Sequence, residues 1–381
     1  MGLDFSFSEE QELFRKSVRE FAEREIKPRI KEYEEKREWP WEIWRRMAEF
    51  GIQGLCYPKE YGGLDADYVT VGIATEEIAR AGGPYPSHIW GTIIARYGSE
   101  EQKERWIPKI VRGETLVGVG STEPRGGSDA AGIQTKAERR NDHYIINGEK
   151  QFVSHIKESE AFIITARTGP LPRDKGISTI LVELDREGIE KYYFRTMGWW
   201  SHSFGGIRFN NVQVPVSNRI GEENKGFKYL MMTFDKARVL LGLWALGYAE
   251  ASLEETMSYA KQREVFGRPL AKLINVQFDI AESYTRIEAA KLLCYRALWL
   301  ADQQRPHVKE SAMAKYYALT TACDVIDRMI QIHGAVGITS ELELERRYRD
   351  VRGIRIGDGT DEIMKLIVAR ELLGREYLPY R

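Results

Sequence analysis

Apolar residues recur every three to four positions along the first part of the chain. In "FSEEQELFRKSVREFAEREIKP", Leu13, Phe14, Val18 and Phe21 fall on one face of a helix. Ser8 and Gln11 stand in the spacing of a capping box at the start of that helix. The same periodicity predicts helices in "PWEIWRRMAEFGI", "DYVTVGIATEEIARAG" and "SEEQKERWIPKIVRG". We therefore predict a helical N-terminal domain over residues 1–115.

The spacing changes to strict alternation between residues 116 and 225. "AFIITART", "ISTILVEL" and "GIRFNNVQVP" are predicted as short strands. "HYIINGEKQFVS" contains Asn147-Gly148, a dipeptide typical of two-residue turns, and it predicts a hairpin there. The segment 116–225 is therefore predicted as an antiparallel β domain.

Helical periodicity returns after Gly226 and continues to the end of the chain. One long run begins at Gly226, and further helices are predicted near 271–302, 306–333 and 359–376. Four long helices with short links indicate a bundle. The fold class is thus α+β and multidomain: a helical N-terminal domain (1–115), a middle β domain (116–225) and a C-terminal four-helix bundle (226–381).

Charge and composition remove several classes of function. The net charge of −1 gives no electrostatic reason to expect a nucleic acid or an anionic membrane as partner. No apolar run approaches the ~20 residues that a membrane helix needs, and the N-terminus does not resemble a signal peptide. Cys56, Cys294 and Cys323 are scattered, which favours buried thiols and a cytoplasmic location. The six histidines lack metal-ligand spacing, so no metal is expected.

Four short motifs could carry chemistry, and each also has an ordinary structural interpretation. "GSTEPRGGSD" could cradle a phosphate or cofactor, or it could be a polar loop. "KQFVSH" could place an aromatic ring and a hydroxyl beside a flat ligand, or in a core. "FDKAR" could be a solvated ion pair on one helix face. In "RIGDGTDEI" an acid between two glycines is either a turn residue or a group presented to a ligand.

The order of these motifs, together with "REVFGRPL" and "QIHGAVG", resembles the acyl-CoA dehydrogenase family over essentially the whole chain. The resemblance implies a homotetrameric FAD enzyme that oxidises acyl-CoA thioesters to 2-enoyl-CoA. It also implies that electrons leave through an electron-transfer flavoprotein. FAD would lie between the β domain and the bundle, across a subunit interface.

The resemblance implies a role for each residue of this sequence that matches a family motif. The residues implied to contact FAD are Thr122, Gly127, Ser128, Phe152, Ser154, Arg263, Phe266, Gln331, Gly334, Gly337, Thr360 and Glu362. Asp235 and Arg238 are implied to bind CoA, and Gly359 to lie on the substrate side. Ile274, Glu362, Val119 and Ala335 depart from the residues usual in the family.

Asp358 matches the family glutamate that removes the α-proton of the thioester, and Gly357 replaces a tyrosine. Aspartate is one methylene shorter, which retracts the carboxylate by about 1.5 Å. The added room favours a branched or ring-bearing acyl group, such as cyclohexanecarboxyl-CoA. Two rival functions remain open: a flavin oxidase or oxygenase of the same fold, and a non-catalytic family member that binds CoA or associates with nucleic acid.

Overall fold

A computed structural model describes residues 5–85, 87–170 and 172–379 of the chain. Within those residues there are eleven α-helices and ten β-strands. The helices are α1 (Glu9–Glu25), α2 (Ile30–Lys36), α3 (Trp41–Glu49), α4 (Tyr68–Arg80), α5 (Thr92–Tyr97), α6 (Glu100–Val111), α7 (Gly226–Gln262), α8 (Ile274–Asp302), α9 (Val308–His333), α10 (Leu344–Ile354) and α11 (Asp361–Leu373). The strands are β1 (Leu116–Gly120), β2 (Lys136–Arg140), β3 (His143–Ser154), β4 (Ser159–Arg167), β5 (Ile177–Glu183), β6 (Ile189–Tyr193), β7 (Phe204–Pro215), β8 (Arg219–Ile220), β9 (Glu264–Val265) and β10 (Arg268–Pro269).

The N-terminal helices begin where their capping residues predict. The Ser8 hydroxyl accepts a hydrogen bond from the Gln11 N–H, and the Gln11 side chain accepts one from the Ser8 N–H, both at 3.1 Å. Ser99 and Gln102 repeat this capping box at the start of α6. The capping box of α1 and the helices predicted from periodicity in this part of the chain are confirmed.

The middle of the chain forms one mixed sheet. Its strand order is β6-β7-β3-β2-β4-β5-β8, and β1 pairs with β4. Most neighbours are antiparallel, but β1 and β2 both pair with β4 in the parallel sense. The prediction of a purely antiparallel domain is wrong in this respect, because side-chain alternation does not encode the direction of the neighbouring strand.

The hairpin predicted at Asn147-Gly148 is wrong. β3 runs without a turn from His143 to Ser154, and its reversal toward β2 lies earlier, at residues 141–142. Asn147-Gly148 instead forms an irregularity in the pairing of β3 with β7, where Gly148 has φ +147°. A Cβ atom at Gly148 would lie 2.5 Å from the Thr135 hydroxyl oxygen, so glycine is required by close packing here.

The sheet is buried on both faces near its centre. One face carries a core cluster with Tyr144, Ile146, Phe162 and Phe209, and the other packs Ile163 and further residues against α5 and α6. Every residue of β5 is buried. Burial along a whole strand is expected where both faces of a sheet are covered.

The C-terminal part contains the predicted helices and one that was not predicted. α7, α8, α9 and α11 correspond to the four predicted runs, and α10 lies between α9 and α11. The sequence of α10, "LERRYRDVRGI", is rich in charge, yet Arg346 and Arg347 are buried. Arg346 pairs with Glu343 three residues earlier, and Arg347 pairs with Glu255 of α7. The pairing with α7 is a tertiary contact that the periodicity of the sequence does not show.

Contacts in space divide the chain into two compact units. The helical unit comprises residues up to Lys31, Asp67–Tyr85 and the residues from Lys236 onward; the β unit comprises Glu32–Ala66 and residues 86–235. The three segments predicted along the chain therefore stay a prediction. The fold class is confirmed: N-terminal helices, a middle β-sheet and C-terminal helices. Among the described residues, no helix combines the length and apolarity needed to cross a membrane.

Candidate active site

The "TEPRGG" loop and strand β3 are joined side by side in the β unit. The Gln151 N–H donates to the Thr122 carbonyl at 2.9 Å, which places the loop beside Phe152. Gly127 lies close to Thr122, since a Cβ atom at Gly127 would be 2.8 Å from the Thr122 hydroxyl oxygen. Gly127 and Ser128 are exposed and Thr122 is half-buried. Residues predicted from two separate motifs thus form one continuous surface.

A buried ion pair fixes this surface from beneath. Lys150 has no exposed surface, and its ammonium donates to Glu123 at 2.8 Å and to the Ser121 carbonyl at 3.2 Å. Glu123 also accepts the N–H groups of Gln134 and Thr135 at 2.6 and 3.0 Å. Burial lowers the pKa of Lys150 to about 8, although Glu123 opposes this shift. For Glu123, burial acts to raise the pKa, but the charge of Lys150 and these hydrogen bonds outweigh it and hold the pKa below its usual value.

Phe152 presents an aromatic ring at the surface of the β unit. Its backbone adopts φ +56° at a second irregularity of β3, and its side chain is 55 % exposed. Phe194 and Phe204 lie beside it with nearly parallel rings, at centroid distances of 5.3 and 6.2 Å. Ser154, two residues further, is partly buried. A strained, exposed aromatic with such support is suited to stack on a planar ligand.

A buried histidine anchors the end of β3. His155 follows Ser154 with φ +64°, and its Nε2 lies 2.9 Å from the Ser87 hydroxyl in a hydrogen bond. The rings of Trp39 and His202 pack on it at 4.6 Å. Burial, followed by the neighbouring His202, holds the pKa of His155 well below its usual value. His155 thus packs in a buried cluster with Trp39 and His202 at the end of β3.

A short hairpin in the helical unit carries the "REVFG" motif. β9 and β10 pair across Phe266 and Gly267, which both have positive φ as a type I′ turn requires. Phe266 is 93 % exposed and Arg263 is exposed at the base of the hairpin. The tip of the hairpin therefore presents an apolar ring to solvent in the single chain.

The "QIHGAVG" motif ends α9 close to that hairpin. Gly334 has φ +65°, and its N–H donates to the carbonyls of Ile330 and Gln331. Gln331 and Gly334 are exposed, whereas Gly337 is packed against Ile330. The His333 ring stacks on Tyr259 at 4.2 Å, and the Tyr259 carbonyl accepts the Arg263 N–H. Two motifs that are about 70 residues apart in the sequence therefore lie on neighbouring helix ends.

The corner between α10 and α11 holds Asp358 in an uncommon backbone conformation. Asp358 has φ +54° and Gly359 has φ +101°, both left-handed. For a non-glycine residue this conformation is sparsely populated and persists where the surrounding structure imposes it. A Cβ atom at Gly357 would have the Ile354 carbonyl oxygen at 3.8 Å as its nearest neighbour. The corner is thus constrained at Asp358 and open at Gly357.

Two buried cations hold this corner through its backbone carbonyls. The Arg238 Nε on α7 donates to the Asp358 carbonyl at 2.9 Å. The Lys315 ammonium on α9 donates to the Gly359 carbonyl and, at 3.5 Å, to the Arg355 carbonyl. Arg238 and Lys315 are both buried, so the solvated ion pair that "FDKAR" could have formed is wrong for Arg238.

The Asp358 carboxylate itself accepts no hydrogen bond from any of the described residues. Burial raises its pKa, while the charges of Lys315 and Arg238 act in the opposite direction. Tyr85 lies within electrostatic reach: burial, and secondly the Asp358 charge, raise the pKa of Tyr85 well above its usual value. A carboxylate with free lone pairs and a raised pKa is equipped to accept a proton.

The remaining predicted residues differ in the exposure and hydrogen bonding of their side chains. The Thr360 hydroxyl caps α11 by accepting the Ile363 N–H at 3.3 Å. Glu362 is exposed in the first turn of α11 and Ile274 is 65 % exposed. Asp235 is buried. Their FAD and CoA contacts stay predictions.

Comparison with known proteins decides the family. Three family models match in succession: the acyl-CoA dehydrogenase N-terminal domain over residues 8–114, the middle domain over 118–212 and the C-terminal domain over 224–373. The chain belongs to the acyl-CoA dehydrogenase family. It is an FAD-dependent oxidoreductase that acts on acyl-CoA.

Several relatives of this family align over nearly the whole chain. A 3-(aryl)acrylate reductase of Clostridium sporogenes is 40 % identical and covers 96 % of this chain and 99 % of its own. The caffeyl-CoA reductase-Etf complex subunit CarC of Acetobacterium woodii is 36 % identical, with 96 % and 99 % covered. The structure of butyryl-CoA dehydrogenase from Megasphaera elsdenii superposes with a TM-score of 0.91 at 31 % identity, covering 97 % of this chain and 100 % of its own.

The residues present fit an FAD cofactor. The β unit offers a tight glycine loop beside Thr122 and an exposed ring at Phe152, which are suited to a phosphate group and a planar ring. The helical unit offers an exposed arginine, Arg263, whose planar fork matches a pyrophosphate. No group of histidine, cysteine and acidic residues among those described could hold a metal ion.

Sequence reasoning missed the charged residues that support the site. Lys150 and Glu123 lie within the quoted motifs, and Lys315 lies on α9 in "AMAKYYALT". A lysine inside an otherwise apolar helix run is the one available signal for Lys315, because lysines are almost never fully buried without a partner. Periodicity treats such a residue as an exposed interruption.

Proposed function

We propose that the protein oxidises an acyl-CoA thioester to the 2-enoyl-CoA, with Asp358 as the base that removes the α-proton. The observation that carries the proposal is the Asp358 carboxylate, which lies on a constrained corner with its lone pairs unused by the described residues. Its raised pKa improves proton acceptance, and it acts in the ionised form. When bound, FAD supplies the acceptor for the hydride that leaves the β-carbon.

The chain's own residues position this base. Arg238 and Lys315 bond to the carbonyls on and after Asp358, so the carboxylate is presented by a fixed backbone. The backbone N–H of Asp358 is the donor that the family resemblance assigns to the thioester oxygen. Such a donor acidifies the α-proton by stabilising the enolate that develops.

The substrate proposed is a ring-bearing or branched acyl-CoA. The support is the open space at Gly357, where the nearest atom to an added Cβ lies at 3.8 Å. Two relatives carry names that denote ring-bearing acrylates, 3-(aryl)acrylate and caffeyl-CoA, and both are reductases. These names favour a second candidate direction for the same site, the reduction of a ring-bearing 2-enoyl thioester.

A panel of thioesters tests substrate and base together. Flavin bleaching by cyclohexanecarboxyl-CoA, 3-phenylpropionyl-CoA and butyryl-CoA would be followed under anaerobic conditions. We expect the ring-bearing thioesters to bleach the flavin faster than butyryl-CoA. Asp358→Asn keeps the side-chain size and removes the base, so bleaching should slow by roughly 100-fold or more. Wild-type rates in Asp358→Asn would place the base elsewhere, and a preference for butyryl-CoA would reject the substrate class.

Assembly as a homotetramer and electron transfer to an electron-transfer flavoprotein complete the proposal. The helical unit exposes apolar side chains at Phe266 (93 %), Ile338 (71 %) and Phe278 (64 %), which supports burial against another subunit. Arg263→Ala should lower the FAD content and shift the particle size measured by light scattering. Unchanged flavin content and size would contradict a cross-subunit role for the "REVFG" hairpin.

A further inference from the structure

Lys315 is a buried charge whose partners at the catalytic corner are carbonyl oxygens. It lies on α9 with no exposed surface. Its ammonium donates to the carbonyls of Arg355 and Gly359, the residues that bracket Ile356, Gly357 and Asp358. The lysine is thus bonded to both ends of the loop that carries the base.

We infer that Lys315 is a positioning residue for the reaction: it clamps the loop of the base and supplies the positive charge that keeps Asp358 ionised. This inference rests on the proposed role of Asp358 and adds a residue that acts through it. The ammonium makes no direct hydrogen bond to the Asp358 carboxylate, so the carboxylate remains available to the substrate. The charge acts through space, where the low polarity of a buried site strengthens it.

The charges around Lys315 come from three elements. Asp358 and Arg355 lie on the corner, Asp361 on α11 and Arg238 on α7. Burial lowers the pKa of Lys315 to about 8, while the carboxylates of Asp358 and Asp361 oppose this shift. Lys315 is therefore mainly protonated at neutral pH, the form in which it attracts the proton-accepting carboxylate. In return, its charge lowers the pKa of Asp358 against the larger effect of burial.

The corner has other supports, which makes the role of Lys315 separable from folding. Arg355 donates to Asp361 at 2.9 and 2.7 Å, and Thr360 caps α11. Arg238 holds the Asp358 carbonyl. With those contacts kept, loss of the Lys315 charge should change the ionisation of Asp358 more than the path of the backbone.

The pH dependence of flavin reduction tests the inference in the FAD-loaded enzyme. Rates would be measured from pH 5 to 9 with cyclohexanecarboxyl-CoA and with butyryl-CoA for the wild type, Lys315→Gln, Lys315→Met and Lys315→Arg. The Gln variant removes the charge and keeps an N–H donor, on a side chain one atom shorter than that of lysine. The Arg variant keeps the charge. Thioester KM and the urea midpoint of unfolding would be measured on the same samples.

We expect the acid limb of the rate profile to move to higher pH in Lys315→Gln and Lys315→Met. At the foot of that limb the rate should fall roughly tenfold below wild type, since one pKa unit is a factor of ten. KM should change little, and Lys315→Arg should restore the wild-type limb. If Lys315→Met does not fold, the position of the acid limb in Lys315→Gln alone tests the inference.

Lys291→Met is the matched control, because Lys291 is also a largely buried lysine of the helical unit, paired with Glu76 and Glu250 at 2.7 and 2.8 Å. It should lower the urea midpoint and leave the acid limb in place. An unmoved limb in Lys315→Gln would overturn the inference, whatever happens to stability. Asp358→Asn is measured beside these variants to separate the two proposals. A wild-type rate in Asp358→Asn would reject Asp358 as the base. A strongly reduced rate in Asp358→Asn, together with an unmoved acid limb in Lys315→Gln, would reject only the role of Lys315.

Discussion

Two carboxylates of the molecule each stand near a buried lysine, and the two pairs differ in their hydrogen bonds. Glu123 in the β unit accepts bonds from Lys150 and from two backbone N–H groups. Asp358 in the helical unit accepts none from the described residues, and Lys315 bonds to the carbonyls around it. The pKa of Glu123 is lowered and that of Asp358 is raised.

The difference teaches how the same residue types become structural or reactive. A carboxylate whose lone pairs are filled is held ionised and has little capacity left for a substrate proton. A carboxylate that keeps its lone pairs free, with the cation satisfied elsewhere, stays reactive. A buried lysine lies at both sites. In the structural pair the ammonium of Lys150 bonds to the carboxylate, whereas at the Asp358 corner the ammonium of Lys315 bonds to backbone carbonyls.

Breaking the Lys150–Glu123 ion pair should have the largest effect on stability. Lys150→Met leaves the buried Glu123 without its cation, which typically costs about 3–5 kcal/mol in unfolding free energy. FAD content should fall with it, because the Thr122 loop loses its anchor. Urea unfolding and the flavin-to-protein absorbance ratio measure the two effects.

Lys109→Met is the control for that substitution. Lys109 pairs with Glu160 at 3.2 Å, but the two side chains are 41 % and 50 % exposed, and such pairs contribute about 1 kcal/mol or less. Equal losses in the two variants would mean that the Lys150–Glu123 pair has no special role.

Lengthening the base should have the next largest effect. Asp358→Glu moves the carboxylate outward by about 1.5 Å, and a misplacement of that size can slow the reaction about 100-fold. We expect the loss to be greatest with cyclohexanecarboxyl-CoA and smaller with butyryl-CoA, which is measured by stopped-flow flavin bleaching. Asp327→Glu, on the exposed side of α9, should leave both rates unchanged. A faster rate with the ring-bearing thioester would contradict the fit between a short base and a bulky substrate.

Removing the second support of the corner should have a smaller effect. Arg238→Ala deletes the hydrogen bond to the Asp358 carbonyl, and we expect kcat to fall roughly tenfold, the value of one charged hydrogen bond. The CoA contact predicted from the sequence would instead raise KM at nearly constant kcat. Steady-state kinetics separate the two roles, and a pure KM effect would show that the bond to Asp358 is dispensable.

The smallest effect concerns the pH dependence of stability, which should have opposite signs at the two carboxylates. For Glu123 the folded pKa lies below its usual 4.5, so its contribution is present above that pH and is lost as pH falls. For Asp358 the folded pKa lies above 3.8, so stability is lost as pH rises through the window above that value.

Asp358→Asn should therefore unfold at a slightly higher urea concentration than wild type at pH 7, and the gain should disappear below pH 3.8. The exposed Asp327→Asn should show no such trend. A destabilised Asp358→Asn at pH 7 would mean that the ionised carboxylate is favourable in the fold.

Most of the helices and the family resemblance could be predicted from the sequence. The Ser8 capping box and the apolar spacing of α1, α4, α6 and α7 are short-range features, and the structure confirms the helices that they predict. Leu13 is the exception on the predicted apolar face of α1, since it is 67 % exposed. The turn predicted at Asn147-Gly148 does not form, and the reason is physical. Pairing of β3 with β7 over both halves of the strand outweighs a local turn preference, and the glycine is used to pack against Thr135.

What the sequence by itself determined is the change from helices to strands and back to helices, and the motifs whose order identifies an acyl-CoA dehydrogenase, because these depend on neighbours a few residues apart. Only the tertiary structure decided which charges support the site. Lys315 on α9 and Arg238 on α7 contact the Asp358 corner, although they precede Asp358 by 43 and 120 residues in the chain. The energy of a buried charge depends on what surrounds it in space, and periodicity carries no record of those surroundings.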